Sequence, residues 1–373
     1  MKAIFAVSML TLCLACTPDP AHQETDGTTG IPFYVGTYTN GDSQGIYRYL
    51  LEPDGSLSEV GLAAAASNPS FLSLDQSKEV LVAVNEEEDS TGMGGVTSYA
   101  VEGDSLHEVS RKSSGGAYPC FVNVTTSGHV LVANYGDGTV ALLKLSPDGA
   151  LSGPLDVQQH VGSGTTDRQK SPHAHSVWTV GSQLEMISVD LGTNELWFSS
   201  INPAVDSLQL QTHKKLNMAP DIGPRHLVVH PNGKWIYVLN ELSSTVAIVE
   251  RNEQAEYHRK SSVSMLPADF DSQSSGADIH LSPDGRFLYA SNRGHNSIVI
   301  YEVNPDDGSL QLVGHELTQG EAPRNFALSP DGRYLLVANQ GTNTIVSFER
   351  NEQKGTLAYV GQIAAPTPVC IIF

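Results

Sequence analysis

The sequence predicts an all-β protein, a seven-bladed β-propeller closed by pairing of its N- and C-terminal strands in one blade. Three observations lead to this prediction. A hairpin unit recurs at intervals of roughly 47 to 53 residues, the range that is typical of four-stranded propeller blades. Half of a further unit lies at each end of the chain. The 34 glycines and 20 prolines indicate many tight turns and few helices.

Each unit has an apolar strand, a turn often written Pro-Asp-Gly, a second apolar strand that usually ends in Asn, and a glycine-rich link to a further strand. Two apolar runs across a tight turn predict an antiparallel hairpin. Complete copies begin at Asn68, Tyr118, Ser171, Gly223, Gly276 and Ala322. A seventh copy is split between Pro366–Phe373, a first strand, and Pro32–Tyr38, a second strand. Joining the two closes the ring and removes open sheet edges.

The N-terminus predicts an exported protein. Residues 1–16 place Lys2 before a short apolar run, which is typical of a signal peptide and too short to span a membrane as a helix. Leu14-Ala15-Cys16 resembles the end of a lipobox, so we expect lipidation of Cys16. Residues 17–30 are polar and predict a flexible tether, which leaves 31–373 as the propeller domain. The protein is therefore expected to be a cell-envelope lipoprotein that meets the membrane only through this anchor.

The net charge of −20 disfavours nucleic acids and anionic membrane surfaces as partners. It also means that a site for an anionic ligand needs its own arginines. Cys120 and Cys370 each lie in an apolar run, which favours buried free thiols, although a bridge between them stays open. The sequence predicts no oligomeric state.

The candidate site follows from the geometry of the hairpin. In a propeller the first strand of each blade lines the central channel, and the hairpin returns the end of the second strand to the face where the first begins. The residues at these ends form one set: Tyr38, Asn85, Glu86, Asn134, Tyr135, His173, His175, Asp190, Arg225, His226, Asn240, Glu241, Asp278, Asn292, Arg293, Arg324, Asn325, Asn339 and Gln340.

Histidine, arginine and glutamate in one site suit the hydrolysis of an ester or lactone with an anionic substrate. The histidine can accept a proton from water, and arginine can bind an anionic group or stabilise an oxyanion. Structural alternatives remain: Arg225 and Glu241 could form only a bracing ion pair, and Arg293 could only neutralise the channel mouth. His173 and His175 lie two apart on a strand and could share a zinc ion, but no third ligand is evident. We expect neither a metal nor another cofactor.

Several motifs resemble the propeller-type lactonases, which include bacterial 6-phosphogluconolactonases and are similar to fungal carboxy-cis,cis-muconate cyclases. The motifs are Pro224–Val246, Phe33–Thr39, Val132–Gly138, Pro172–Val177 and Ser282–Ile298. The resemblance implies catalytic roles for His175, Arg225, Glu241 and Arg293. His173, His226, Asn240, Asn134 and Arg324 are expected to bind the substrate.

The resemblance implies hydrolysis of a sugar-acid lactone to the open-chain acid without a metal. His175 or Glu241 would activate water, and Arg225 or Arg293 would stabilise the oxyanion. Export argues against a phosphorylated cytosolic substrate and leaves a non-phosphorylated sugar lactone open. Two alternatives are a lipid-anchored binding propeller without catalysis and a muconate-type lactonising cyclase.

Overall fold

The structure is a computed structural model that describes residues 30–181, 184–202 and 204–373, together with Met1. Residues 2–29, on which the predictions of a signal peptide, a tether and a lipidated Cys16 rest, lie outside the described residues. The described part contains 28 strands and one 3-10 helix, Asp167–Gln169. None of its helices is long and apolar enough to cross a membrane.

The strands form seven four-stranded antiparallel sheets, which confirms the predicted propeller. The first three blades in chain order are β4 (Leu72–Leu74), β5 (Val80–Asn85), β6 (Gly95–Glu102) and β7 (Ser105–Ser113); β8 (Pro119–Val124), β9 (His129–Asn134), β10 (Thr139–Leu145) and β11 (Leu151–Gln159); and β12 (Ala174–Val180), β13 (Glu185–Asp190), β14 (Glu195–Asn202) and β15 (Ser207–Asn217).

Blades four to six repeat the arrangement. They are β16 (Pro224–Val229), β17 (Trp235–Asn240), β18 (Thr245–Arg251) and β19 (Tyr257–Ser264); β20 (Ser275–Leu281), β21 (Phe287–Arg293), β22 (Ser297–Val303) and β23 (Leu310–Leu317); and β24 (Pro323–Leu328), β25 (Tyr334–Asn339), β26 (Thr344–Arg350) and β27 (Leu357–Ala364).

The seventh blade joins the two ends of the chain, as the split repeat predicts. It consists of β28 (Pro368–Ile372), β1 (Ile31–Thr37), β2 (Gly45–Leu51) and β3 (Leu57–Ala65). β28 pairs antiparallel with β1, and Gly36 lies opposite Cys370. Closing the ring in this way gives the N-terminal strand β1 a partner on both edges, β28 and β2.

The core lies between the blades. Each of seven apolar clusters combines side chains from two neighbouring blades; Tyr237 of blade four, for example, packs in one cluster with Leu288 of blade five. The second strand is covered on both faces, and all six residues of β5, β9, β17 and β25 are buried. This explains the continuous apolar runs in the sequence. Burial of one such side chain contributes about 1.5–3 kcal/mol.

A β-bulge interrupts the register near the start of the innermost strand in several blades. In β12 the shift falls between Ala174 and Ser176, and in β16 it falls between Pro224 and His226. The extra residues are His175 and Arg225, and equivalent shifts occur at Cys120 and Arg324. A bulge changes the direction in which its side chain points. The fold therefore places a ring of bulge residues at one level of the channel.

Candidate active site

The bulge residues and the residues that follow the second strands meet at one mouth of the channel, which we call the funnel. His175 comes from β12, Arg225 from β16, and Glu241 directly follows β17. All three are buried, each with about 4% of its surface exposed. The backbone N–H of Glu241 donates to the carbonyl oxygen of Gly223 at 2.7 Å, which fixes the open end of this hairpin.

Arg225 is the centre of the site. Its Nη1 lies 2.5 Å from Oε2 of Glu241 and 2.6 Å from Nε2 of His175. Its Nε donates to the carbonyl oxygen of Ala277 at 2.8 Å. A guanidinium only donates hydrogen bonds, so Nε2 of His175 is the acceptor in this contact. The geometry fixes the arginine on three sides and occupies the Nε2 lone pair of the histidine.

Glu241 is surrounded by cations. In addition to Arg225, Nη2 of Arg293 lies 3.3 Å from Oε2, and Nη2 of Arg168 lies 3.1 Å from Oε1. Burial raises the pKa of the Glu241 carboxyl, but the guanidinium groups of Arg225, Arg293 and Arg168 outweigh it and hold the pKa well below its usual range. Glu241 is therefore an ionised carboxylate that orients arginines.

Burial and the charge of Arg225 also lower the pKa values of His175 and Arg293. Burial and the adjacent charge of Arg225 hold the pKa of His175 well below its usual range, so the imidazole is neutral. Burial, followed by repulsion from Arg225, lowers the pKa of Arg293 to about 9, which keeps it a cation at neutral pH. Arg293 also donates from Nη2 to the carbonyl oxygen of Gly276 at 2.9 Å.

A second polar cluster faces the first across the funnel. Nη2 of Arg324 donates to the Tyr38 hydroxyl at 2.6 Å, and this hydroxyl donates to Oε2 of Glu86 at 2.8 Å. The Ser70 hydroxyl donates to the same oxygen at 2.5 Å. The predicted substrate-binding Arg324 thus lies at the funnel, together with residues from the seventh and first blades.

An aromatic wall, formed by His173 and Tyr135, borders the first cluster. The His173 ring stacks on Tyr135 with centroids 4.4 Å apart, and its Nδ1 lies 2.7 Å from the Tyr135 carbonyl oxygen. The Tyr135 hydroxyl accepts a hydrogen bond from Nη2 of Arg168 at 3.0 Å. His173 and Tyr135 are half-buried. Flat, partly exposed rings with polar edges suit contact with a sugar ring.

Three predicted substrate-binding residues lie elsewhere. Asn134 and Asn240 are fully buried. Asn134 donates to the Ser114 carbonyl oxygen at 2.9 Å, and Asn240 donates to the Thr245 hydroxyl at 2.9 Å. They hold the links of their own blades, so their positions give no support to a role in substrate binding. His226 follows Arg225 on β16 and is buried below it in the channel.

The structure also brings in residues to which the sequence assigned no role. Arg168 belongs to the 3-10 helix before β12, where the repeat provides no equivalent position. Ser70 and Cys120 could have been found, because each follows the repeat proline as Arg225 does. Cys120 and Cys370 are both buried free thiols, as the sequence favours. No His, Cys, Asp and Glu side chains in the described ranges converge in a group of three or more that could hold a metal ion.

A protein-family model described as "Lactonase, 7-bladed beta-propeller" matches residues 32–373. The chain belongs to this family. It is 37% identical over 298 residues to a 6-phosphogluconolactonase of Bacillus subtilis, an alignment that covers 79% of this chain and 83% of the relative. The family resemblance of the sequence motifs is thereby confirmed.

Two solved structures are similar to this protein over nearly the whole chain. The periplasmic gluconolactonase of Pseudomonas aeruginosa is 31% identical with a TM-score of 0.87, and the match covers 91% of this chain and 98% of that one. A proposed 6-phosphogluconolactonase of Bacteroides fragilis is 33% identical with a TM-score of 0.86, covering 95% and 99%.

Proposed function

We propose that this protein is a lactonase that hydrolyses an anionic sugar-acid lactone to the open-chain acid. One observation carries the proposal: the funnel concentrates cations in a strongly acidic chain. Six of its side chains, four arginines and two glutamates, together carry a charge of +2, whereas the whole protein carries −20. They are Arg168, Arg225, Arg293 and Arg324 with Glu86 and Glu241. Such a site attracts an anion and stabilises negative charge that develops during the reaction.

The arginines, Glu241 and the aromatic wall each have a part in this reaction. Arg225 and Arg293 are placed to stabilise the oxyanion that forms when water attacks the lactone carbonyl. Glu241 holds both guanidinium groups in position. Arg324 and Arg168 are available for the anionic group of the substrate, and His173 with Tyr135 for its ring. With guanidinium groups to offset the developing charge, the proposed reaction needs no metal.

The relatives support a lactone substrate and leave its phosphorylation open. The Bacillus subtilis protein is named for a phosphorylated lactone and the Pseudomonas aeruginosa protein for gluconolactone. The four arginines at the funnel favour a substrate with an anionic group. An exported protein would more readily meet non-phosphorylated lactones, so both classes belong in the test.

The test is acid release in a pH-stat from glucono-δ-lactone and 6-phosphoglucono-δ-lactone. We expect the wild-type protein to exceed the spontaneous rate with at least one of them, and Arg225→Ala to lose at least roughly a hundredfold in kcat/KM, the scale for removal of an oxyanion donor. Arg333→Ala is the control, because Arg333 pairs with Glu349 on the exposed surface. A wild-type rate equal to the spontaneous rate for every lactone would contradict the proposal.

We also propose that residues 1–16 are a lipoprotein signal, that Cys16 carries the lipid, and that residues 17–30 tether the propeller domain, 31–373, to the cell envelope. The periplasmic relative supports export. Cys16→Ser should move the protein from the membrane fraction to the soluble fraction, which immunoblotting of fractionated cells would measure. An unchanged distribution would rule out the lipid anchor.

A further inference from the structure

His226 occupies the centre of the channel, one layer below Arg225. Only about 3% of its surface is exposed. Its ring lies edge-on to the rings of Phe71 and Phe121, with centroids 5.9 and 5.6 Å away, and 5.5 Å from the ring of His175. The rings of Phe71, Phe121 and His175 therefore surround the imidazole of His226 below the proposed site.

Asp278 determines which nitrogen of His226 carries the proton. Its Oδ1 lies 2.8 Å from Nδ1 of His226. Its Oδ2 lies 3.0 Å from Nε2 of His280 and accepts from Nδ2 of Asn325 at 2.6 Å. A carboxylate only accepts hydrogen bonds, so Nδ1 of His226 is protonated and Nε2 carries the lone pair. Nε2 is buried and has no hydrogen-bond partner among the described residues.

The other two candidate bases are engaged. Nε2 of His175 accepts from Arg225 at 2.6 Å, and its Nδ1 lies 3.6 Å from the thiol of Cys120. Glu241 is in contact with three guanidinium groups, which stabilise its ionised form and make it a weak proton acceptor. His226, in contrast, combines an unpartnered basic nitrogen with a carboxylate behind it, the pairing that orients a histidine base in serine hydrolases.

A small cavity lies beside this histidine, between the level of the bulge residues and the level of His226. The centre of a water molecule can move within about 10 Å³ of this cavity, which is close to the space that one water molecule needs. Polar groups on several sides could bind this water. The polar lining consists of Ser70, Glu86, Cys120, Arg225, His226, Arg324 and Asn325.

We propose that His226 is the general base of the reaction and that this cavity binds the water that it activates. The inference rests on the proposed lactonase function. The water oxygen bonds to the lactone carbonyl carbon as one water proton passes to Nε2 of His226, and the carbonyl electron pair forms an oxyanion beside Arg225. When the carbonyl is restored, the ring C–O bond breaks and the leaving oxygen takes the proton back from Nε2. The product is the hydroxy acid.

The decisive variant is His226→Gln. Glutamine is uncharged at every pH and has no basic nitrogen. We expect kcat to fall at least roughly a hundredfold with KM changed less than about threefold, because a general base acts on the transition state. His129→Gln is the matched control, since His129 is also buried and lies 3.0 Å from a carboxylate, that of Asp206, outside the channel.

The pH profile gives an independent measurement. A base acts when it is unprotonated, so kcat/KM rises with pH through the pKa of His226. Burial lowers that pKa below its usual value of 6.5, so the midpoint of the acidic limb in the wild-type profile should lie below pH 6.5. The acidic limb should disappear in His226→Gln. The charged and titratable groups around His226 are Asp278, His280, His175, Cys120, Arg225, Arg324 and Glu86.

The possible outcomes separate this inference from the function itself. If the wild-type protein hydrolyses no lactone, the function fails first. If it does, and folded His226→Gln keeps kcat within about threefold or retains the acidic limb, the base is another residue. If His226→Gln does not fold, Asp278→Asn decides, because it replaces a carboxylate that accepts at both oxygens with a neutral amide that accepts at only one, so the proton is no longer held on Nδ1 of His226. We expect it to lower kcat at least roughly tenfold with KM little changed, and a folded variant with full kcat would overturn the inference.

Discussion

Glu241 and Glu86 hold equivalent positions in two blades of one repeat. Each directly follows the asparagine that ends the second strand, Asn240 or Asn85. Each uses its backbone N–H in the same way, donating to Gly223 at 2.7 Å or to Asn68 at 3.0 Å. The two carboxylates nevertheless have different surroundings, because the neighbouring blades present different side chains to them.

Glu241 is neutralised by charges, whereas Glu86 is held by hydroxyl groups. Arg225 and Arg293 both reach Oε2 of Glu241. Oε2 of Glu86 accepts from Tyr38 and Ser70 instead, and Arg324 reaches it only through the Tyr38 hydroxyl. The comparison shows that the repeat fixes the position of the glutamate after the second strand. The side chains of its own and neighbouring blades then determine whether arginines or hydroxyl groups bind its carboxylate.

The largest effect is expected from Glu241→Gln. It leaves the buried guanidinium group of Arg225 and the half-buried one of Arg293 without a counter-charge. Removal of one partner of a buried pair costs about 3–5 kcal/mol. We expect a lower free energy of unfolding in urea, and kcat/KM lower by at least roughly a hundredfold because Arg225 and Arg293 lose their positions. A variant with wild-type activity would remove the distinction between the two glutamates.

The loss of stability in Glu241→Gln should be largest at neutral pH and smaller in acid. The folded-state pKa of Glu241 lies below its usual value of 4.5, so its ion pairs stabilise the protein above that pH. The contribution is lost as the pH falls from 4.5 through the lower folded-state pKa. The difference in unfolding free energy between wild type and Glu241→Gln should therefore shrink below pH 4.5, and a constant difference would contradict this account.

A smaller effect is expected from Glu86→Gln. The amide oxygen of glutamine still accepts from Tyr38 and Ser70, and Arg324 keeps its contact with the Tyr38 hydroxyl. We expect kcat/KM to fall about tenfold or less, chiefly through KM, as hydrogen bonds to a neutral acceptor replace those to a charged one. Steady-state kinetics beside Glu241→Gln would measure this. Equal losses in the two variants would show that both carboxylates belong to one catalytic unit.

Much of the fold was predictable because the repeat is regular. The hairpin of β16 and β17 and the equivalent hairpins of the other blades have the same alternation of apolar strands and turns. The unit that is split between the two ends of the chain requires the ring to close. The candidate site was predictable where its residues stand at strand ends, as for His175, Arg225, Glu241 and Arg293. Those four side chains do lie together, and Arg293 contacts Glu241 at 3.3 Å.

Strand patterns do not predict the direction in which a side chain points. Asn134 and Asn240 end strands at the funnel level but turn toward their own links, where they satisfy buried backbone and hydroxyl groups. His226 and Arg225 are adjacent in sequence, yet the bulge sends them to different levels of the channel. Arg168 reaches Glu241 from a link between blades, 73 residues away in sequence. No strand pattern could predict that contact.

The sequence by itself determined the ring, since seven copies of one apolar hairpin can bury their faces only against one another. It also determined which residue types stand at the strand ends. Only the tertiary structure decided which of them meet. The charge of Glu241, the protonated nitrogen of His226 and the direction of Asn134 depend on groups from other strands and blades. Electrostatic and hydrogen-bond energies depend on distances of a few ångströms, and the closed ring sets those distances.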